Sequence, residues 1–374
     1  MTSMLTCGCL TAIGLTPHTP DFSAAAALLA GVVGIVRLIL GVSRIGKPIV
    51  SSLPRAVLDG FGLGVVLLVA AAQIPAICGV PPPQGAHFIT AALVVLAQPA
   101  AWMAGTIAVA ALTAVLLLGG KRIHPLFPGA IVATTLGCAA SVAGLAVGPT
   151  VGAVKSQLPA VINPFLMPWH LLPGLIPAGI AVALAGFAEA ASISRRLADD
   201  DSEPWDTNKE LVSQGASNIA SAVFGGFPVG GSLSRTSLGR TAGARTQLAH
   251  AVTGLTVLAF LPLGASALSS LPRAVLGSLV ACAMAPLMWP ASSLWAPSTG
   301  APLAHWRFPA LGWATTMATL AASPRLEYGL AFGLFLAAAL ALYDKVVVKA
   351  AVTDAPLPPG ESTAAVDPGV VYAR

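Results

Sequence analysis

The sequence is poor in charge. Only 9% of its 374 residues are Asp, Glu, Lys or Arg, whereas 56% are hydrophobic; a soluble globular protein has about 25% charged residues. So few charges cannot cover a water-facing surface of this size, which excludes a soluble enzyme, a nucleic-acid-binding module and a receptor with a single membrane anchor. The composition predicts a protein that crosses the bilayer many times.

Several other signals are missing from the sequence. The five cysteines are odd in number and match no zinc or haem spacing. The apolar segments lack the two-residue alternation of an outer-membrane barrel, so backbone hydrogen bonds must be satisfied inside helices. No nucleophile elbow, phosphate loop or metalloprotease motif is present, and no secretory signal is evident. We therefore expect an all-α membrane protein that is not an enzyme and holds no metal or other cofactor.

Apolar stretches bounded by proline, glycine or charge make up most of the chain. At about 20 residues for each crossing, its length allows about 10 to 12 spanning helices. The stretch 88–118 is interpreted as either one long helix or a broken one, and the tail, 351–374, is predicted to be disordered. The predicted segments are 2–15, 23–43, 54–78, 88–118, 126–148, 171–195, 209–225, 231–246, 248–268, 272–289, 308–322 and 326–347.

An octapeptide occurs twice, each time at the start of an apolar segment. Residues 51–58 and 269–276 both read Ser-Ser-Leu-Pro-Arg-Ala-Val-Leu. Helix-start chemistry explains a serine and a proline at such positions but not identity throughout, so internal duplication is the better interpretation. An odd number of predicted segments separates the copies, which places them in opposite orientations. Inverted repeats are typical of secondary transporters, whose binding site lies near the membrane midplane.

The basic residues lie mostly on one side of this predicted topology. If the loop 43–54 is cytoplasmic, most of the 19 Lys and Arg residues, Arg37 among them, fall at or near the inner ends of the segments. This asymmetry follows the positive-inside rule. The sequence therefore predicts an integral inner-membrane protein with a cytoplasmic C-terminus.

A glycine-rich run interrupts the apolar sequence at membrane depth. Between Phe224 and Ser237, glycines and a proline end one helix, and Ser232 can cap a new one. We predict a half-helix over 231–246 whose N–H groups and positive dipole end bind an anion. Ser232 and Ser234 add hydroxyl donors, and Arg235 adds a fixed positive charge. The alternative is a Pro/Gly kink whose arginine snorkels or pairs with an acid.

Glu189 is an acid in the middle of the apolar segment 171–195. Desolvation and a nearby cation tune such a carboxylate in opposite directions, which suits the proton exchange of coupled transport. The alternative is a structural partner for Arg235, and the two roles can coexist.

These residues resemble the SulP family of anion transporters. The strongest similarity runs from Glu189 to Leu276, and weaker similarity continues to about residue 348. The motifs that carry it are Gly186–Ala190, Asn208–Leu211, Gln214–Asn218, Phe224–Pro228, Gly231–Thr236, Ala242–Thr246 and Leu271–Leu276.

The resemblance implies two inverted seven-span repeats, divided into a core and a gate domain, with an elevator-like movement of the core. Residues 1–150 would form an incomplete first repeat, spans three to seven of the family fold, and 151–350 the second, spans eight to fourteen. The family's first two spans and its cytoplasmic STAS domain have no counterpart in this sequence. The resemblance also implies that Ser3 begins a second half-helix, which faces Ser232.

The sequence thus predicts a secondary active transporter of a small inorganic or carboxylate anion, of the sulfate, bicarbonate or chloride class. Glu189 is the predicted proton-coupling residue. Partners would be the anion, the lipid bilayer, a proton or sodium ion and, as in family members, a second copy of the chain, but no nucleic acid. Two alternatives stay open: a nucleobase permease of related architecture, and a transport-inactive membrane scaffold or fragment. The predicted substrate-binding residues are Ser3, Phe227, Gly231, Ser232, Ser234 and Arg235.

Overall fold

The structure of the protein is a computed structural model. Its described part is almost entirely helix and connecting turn. The described residues are 2–16, 19–48, 53–83, 86–124, 127–153, 158–159, 161–163, 165, 167–232, 235–236, 239–240, 242–288, 307–323 and 325–354.

The α-helices of these ranges are numbered in chain order. They are α1 (Thr2–Ala12), α2 (Pro20–Val42), α3 (Arg55–Cys78), α4 (Phe88–Leu96), α5 (Ala104–Ile123), α6 (Gly129–Val142), α7 (Leu172–Asp201), α8 (Thr207–Val223), α9 (Leu248–Ser269), α10 (Arg273–Met288), α11 (Arg307–Ala322) and α12 (Leu326–Asp354).

The predicted segment 88–118 is broken, as one of its two interpretations required. Helix α4 ends at Leu96, a single 3-10 turn covers Pro99–Ala101, and α5 starts at Ala104. Proline lacks a backbone N–H and disfavours helical geometry in the residue before it, so the break falls at Pro99. At the other end of the chain, α12 continues to Asp354, so the first residues of the predicted disordered tail are helical. The rest of that tail lies outside the described residues.

Side-chain caps fix the starts of two helices that pack together. The hydroxyl of Thr19 accepts a hydrogen bond from the backbone N–H of Phe22, 3.2 Å away, at the start of α2. The carboxylate of Asp206 accepts from the N–H groups of Asn208 and Lys209 at the start of α8. Such caps satisfy N–H groups that have no partner within the helix.

All of these helices except α9 form two packed groups. The α2 group consists of α1, α2, α7 and α8; the α3 group consists of α3 to α6 and α10 to α12. Helix α12 contacts α1 and α7 and so connects the two groups. A shared apolar cluster at this junction includes Leu5 and Val182 from the first group and Phe61, Leu326 and Leu330 from the second.

Helices α2 and α8 pack backbone to backbone. A Cβ built on Gly34 would lie 2.9 Å from the carbonyl oxygen of Gly215, and one built on Gly215 would lie 3.0 Å from that of Gly34. A Cβ at either position would press against backbone atoms of the other helix, so glycine at both positions permits this close packing. This packing places one face of α8 in direct contact with the backbone of α2.

Four helices in the described part are long and apolar enough to cross a membrane. They cover Pro20–Val42, Arg55–Cys78, Trp169–Asp201 and Leu326–Tyr343. Shorter apolar helices accompany them, and α9 exposes every residue from 251 to 260. Apolar surface of this extent suits contact with lipid and not with water.

The two helices that follow the repeated octapeptide run antiparallel. The first copy leads into α3 and the second into α10. A Cβ on Gly277, near the start of α10, would lie 3.4 Å from Ala76 and 3.3 Å from Ile77, near the end of α3. The described residues of the two copies therefore lie at opposite ends of a packed helix pair, and the inverted repeat itself stays a prediction.

Candidate functional site

The run that the sequence singled out begins by ending α8. Gly225 adopts a left-handed conformation, with φ +72°. The N–H of Gly226 donates to the carbonyl of Ser221 at 2.7 Å, and the N–H of Gly225 donates to that of Ala222 at 3.1 Å. This pair of bonds is the Schellman motif, which glycine permits at low cost. The chain then leaves the helix as a short extended segment, 227–231.

Polar side chains of α8 hold this extended segment. The Asn218 side chain accepts from the backbone N–H of Val229 at 2.9 Å and donates to its carbonyl at 3.0 Å. The Ser221 hydroxyl donates to the carbonyl of Phe227 at 2.7 Å. Asn218 is fully buried, so these bonds satisfy backbone groups that water cannot reach. Hydrogen bonds from α8 therefore fix the position of the extended segment that leads into the predicted half-helix.

The described residues of the half-helix agree with the predicted start. The N–H of Thr236 donates to the carbonyl of Ser232 at 3.0 Å, which is a helical hydrogen bond. Residues 235–236 and 239–240 are helical. Gly243, with φ +89°, ends the helix, a few residues before the predicted limit of 246. Ser232 thus occupies the cap position that the sequence indicated.

The start of α1 meets the start of this half-helix at α7. A Cβ built on Gly230 would lie 3.2 Å from the methyl group of Thr2. One built on Gly186, in α7, would lie 3.1 Å from the same methyl group, and one on Gly231 would lie 2.8 Å from Cβ of Ala190. Small residues therefore let two helix beginnings approach one stretch of α7. That Ser3 and Ser232 face each other across an anion stays a prediction.

The predicted substrate residues differ in exposure. Ser3, next to Thr2, is exposed, as are Gly231 and Arg235, while Ser232 is half-buried. Their exposure leaves these groups accessible to a solute that reaches the two helix beginnings. Ser234 lies outside the described residues.

Phe227 and Glu189 flank the same region. The Phe227 side chain is 40% exposed, and its ring centroid lies 6.3 Å from that of Phe22 in α2. Glu189 belongs to α7, three residues after Gly186, and its side chain lies outside the described residues. Proton coupling by Glu189 and its pairing with Arg235 therefore stay predictions.

Arg37 is a buried cation. From the sequence it was expected at or near the inner end of its segment, and its buried surroundings were not predicted. Its side chain is fully buried. Its Nε donates to the carbonyl of Ala183 at 3.1 Å, Nη1 to Gln214 and to the carbonyl of Val229, and Nη2 to the carbonyl of Val182. The guanidinium thus connects α2, α7, α8 and the segment that leads into the half-helix.

Asn218 was also missed as a functional residue, although the similarity covered it. A buried amide at a position that matches a motif is a signal, but its partner in the extended segment becomes visible only in the fold. For Arg37 the available signal was a charge inside the apolar stretch of α2. An ionisable residue within such a stretch is a candidate functional residue.

A family model and several curated proteins match this chain in sequence. The model described as the sulfate permease family matches residues 2–303. The Mycobacterium tuberculosis protein named "Probable sulfate transporter Rv1739c" is 30% identical over 267 residues, which are 69% of this chain and 46% of that protein. Pendrin of Homo sapiens is 29% identical over 268 residues, 68% of this chain and 34% of pendrin. The chain spans less than half the length of these two relatives.

Solved structures share the fold. The murine anion transporter Slc26a9 in its inward-facing state superposes with a TM-score of 0.76 at 18% identity, covering 92% of this chain and 59% of that one. The transmembrane domain of BicA, a cyanobacterial bicarbonate transporter, gives a TM-score of 0.69 at 20% identity, covering 87% of this chain and 80% of that one. These TM-scores establish a common helical membrane-protein fold.

Proposed function

The chain belongs to the sulfate permease family, and we propose that it is a secondary active transporter of a small anion of the sulfate, bicarbonate or chloride class. The observation that supports this most is the meeting of two helix beginnings at Gly186. Unpaired N–H groups and the positive dipole end make such beginnings favourable for anions. The names of the relatives, which refer to sulfate, bicarbonate and anion transport, favour the same class.

The proposed anion lies between the start of α1 and the start of the half-helix. Ser3, Ser232 and Ser234 donate hydroxyl hydrogen bonds to it, and Arg235 supplies a positive charge from the first turn. Gly231 keeps the backbone close to α7, and Phe227 forms an apolar wall. Glu189 carries a proton or adjusts the charge of the site, which links uptake to pH. The location would be the inner membrane, with the C-terminus in the cytoplasm.

Movement of the α2 group against the α3 group would expose this site alternately to the two sides of the membrane. All described elements of the site belong to the α2 group or follow α8 directly. Contacts between the groups involve α12, including a 3.5 Å contact from Sγ of Cys9 to a carboxylate oxygen of Glu327. An elevator-type movement requires contacts of this kind to break and reform.

The proposal predicts saturable sulfate uptake in proteoliposomes that contain the purified protein. Uptake is measured with labelled sulfate, with and without a pH gradient. Arg235→Ala should raise the KM for sulfate, and Glu189→Gln should abolish the pH dependence. Arg122→Ala is the matched control, because Arg122 is an exposed arginine at the end of α5, in the other group, and should leave uptake unchanged.

Competition experiments separate the alternatives. Unlabelled bicarbonate and chloride should compete with sulfate if either belongs to the substrate class. Competition by uracil, with no effect of the anions, would favour a nucleobase permease instead. Absence of uptake of any of these solutes would favour a transport-inactive scaffold, and unchanged uptake in both the Arg235 and the Glu189 variants would reject the assigned roles.

A further inference from the structure

The described partners of Arg37 are dipoles and not charges. Its guanidinium donates to the backbone carbonyls of Val182, Ala183 and Val229 and to the amide oxygen of Gln214. Within the part of the chain that the structure describes, the ion pair found joins Arg240 to Asp201 and does not involve Arg37. Carbonyl dipoles stabilise a cation but leave its net charge in place. The α2 group therefore contains a buried positive charge.

A carboxylate lies one hydrogen bond further away. Nη1 of Arg37 lies 3.1 Å from Oε1 of Gln214, and Nε2 of Gln214 lies 2.7 Å from a carboxylate oxygen of Glu210. The amide thus connects the two charges and also keeps them apart. Glu210 is in the first turn of α8, one helical turn before Gln214. The separated pair has its positive end towards α7 and its negative end towards the start of α8.

The positive end of this pair lies at the candidate anion site. A Cβ built on Gly186 would lie 2.8 Å from Nη2 of Arg37 and 3.1 Å from the Thr2 methyl group at the start of α1. The guanidinium and the start of α1 therefore contact the same residue of α7. A charge in a low-dielectric interior acts over several ångströms with little screening.

Given the proposed function, we propose that Arg37 determines the anion affinity of this site without touching the anion. Arg37 supplies a buried positive potential, and Glu210 reduces that potential through Gln214. The potential favours every small anion over neutral solutes. The hydroxyl and N–H donors of the half-helices determine which anion geometry the site accepts. Removing the two charges should then change anion affinity in opposite directions, a result that loss of a purely structural contact does not give.

Three variants test the pair of charges. Arg37→Gln should raise the Kd and KM for sulfate about tenfold. Arg37→Lys keeps a positive charge at this position and should keep affinity within about threefold of that of the original protein. Glu210→Gln keeps an oxygen acceptor for Gln214 but removes the negative charge, and should lower both constants about two- to threefold. Glu203→Gln is the matched control, because Glu203 is an exposed acid shortly before α8, and should change neither constant.

Binding and transport are measured separately. Sulfate binding to the purified full chain is followed by tryptophan fluorescence, and uptake is measured in proteoliposomes. Protein that binds sulfate but does not transport it contradicts the proposed function, while the Kd values still decide the role of Arg37. If Arg37→Gln does not fold, Arg37→Lys and Glu210→Gln decide it alone.

Four results would overturn the inference. An unchanged or raised Kd in Glu210→Gln, or an unchanged Kd in folded Arg37→Gln, shows that the pair does not act on the anion. An equal fall in Kd for Glu203→Gln shows a general effect of surface charge. Absence of sulfate binding to the original protein overturns the inference and the proposed function together.

Discussion

The close packing of α2 on α8 predicts that Gly34→Ala destabilises the protein. The added Cβ would lie 2.7 Å from Cγ1 of Ile219, 2.9 Å from the backbone nitrogen of Ile219 and 2.9 Å from the carbonyl oxygen of Gly215. Two of these three atoms belong to the backbone of α8 and cannot rotate away. The helices must therefore separate to admit a single methyl group.

Two opposing terms set the magnitude. Overpacking of this kind costs about 1–3 kcal/mol, whereas alanine is favoured over glycine inside a helix by about 0.5–1 kcal/mol. The overpacking term is the larger, and we expect a net loss of about 0.5–2 kcal/mol in the free energy of unfolding. Gly62→Ala in α3 isolates the second term, because a Cβ on Gly62 has no atom within 4 Å. That variant should be neutral or slightly more stable.

Thermal unfolding of the detergent-purified protein, followed by tryptophan fluorescence, measures the difference. We expect the melting temperature of Gly34→Ala to fall by about 1–4 °C, and that of Gly62→Ala to stay equal or rise. Equal melting temperatures for the two variants, or a higher value for Gly34→Ala, would refute the packing argument.

Three further predictions concern α8 and its surroundings. Asn218→Leu leaves the backbone N–H of Val229 without its side-chain partner, while the carbonyl still accepts from Arg37, and should cost about 1–3 kcal/mol of stability and reduce sulfate uptake; an unchanged melting temperature and uptake contradict this. The backbone N–H of Asn208 lowers the pKa of Asp206, so this cap contributes stability above its ordinary pKa of 3.8 and loses it as the pH falls through the lower native value. Asp206→Ala should therefore lower the melting temperature by about 1–3 °C at pH 7 and by less at pH 3, and equal differences at both pH values would contradict this sign. Arg240→Ala breaks an exposed ion pair and should leave uptake unchanged and shift the melting temperature by less than about 2 °C; a larger shift argues for a structural role.

Much of the helical order was predictable because lipid-compatible segments and their breakers are local properties of a sequence. Pro99 and Gly225 each end a helix for reasons that need no tertiary contact: a missing N–H in one case and a left-handed conformation in the other. The start of the half-helix at Ser232 follows from the same local chemistry. The limit of α12 was predicted too early, because the helix continues past Lys345 and Lys349 to Asp354, and lysine bounds an apolar segment without breaking a helix.

The environment of Arg37 could not be predicted in this way, because its position along α2 is compatible with two locations. It lies five residues before the end of α2, or about 7.5 Å along the axis at 1.5 Å per residue, a distance that a flexible arginine side chain can span to reach the membrane boundary. The choice depends on acceptors contributed by distant parts of the chain. Ala183 and Val229 present carbonyl groups to the guanidinium, and Gln214 presents its amide oxygen. These acceptors lie on α7, α8 and the extended segment and satisfy the guanidinium N–H groups inside the protein, so the tertiary structure retains Arg37 in the interior, next to the site where we propose that it acts.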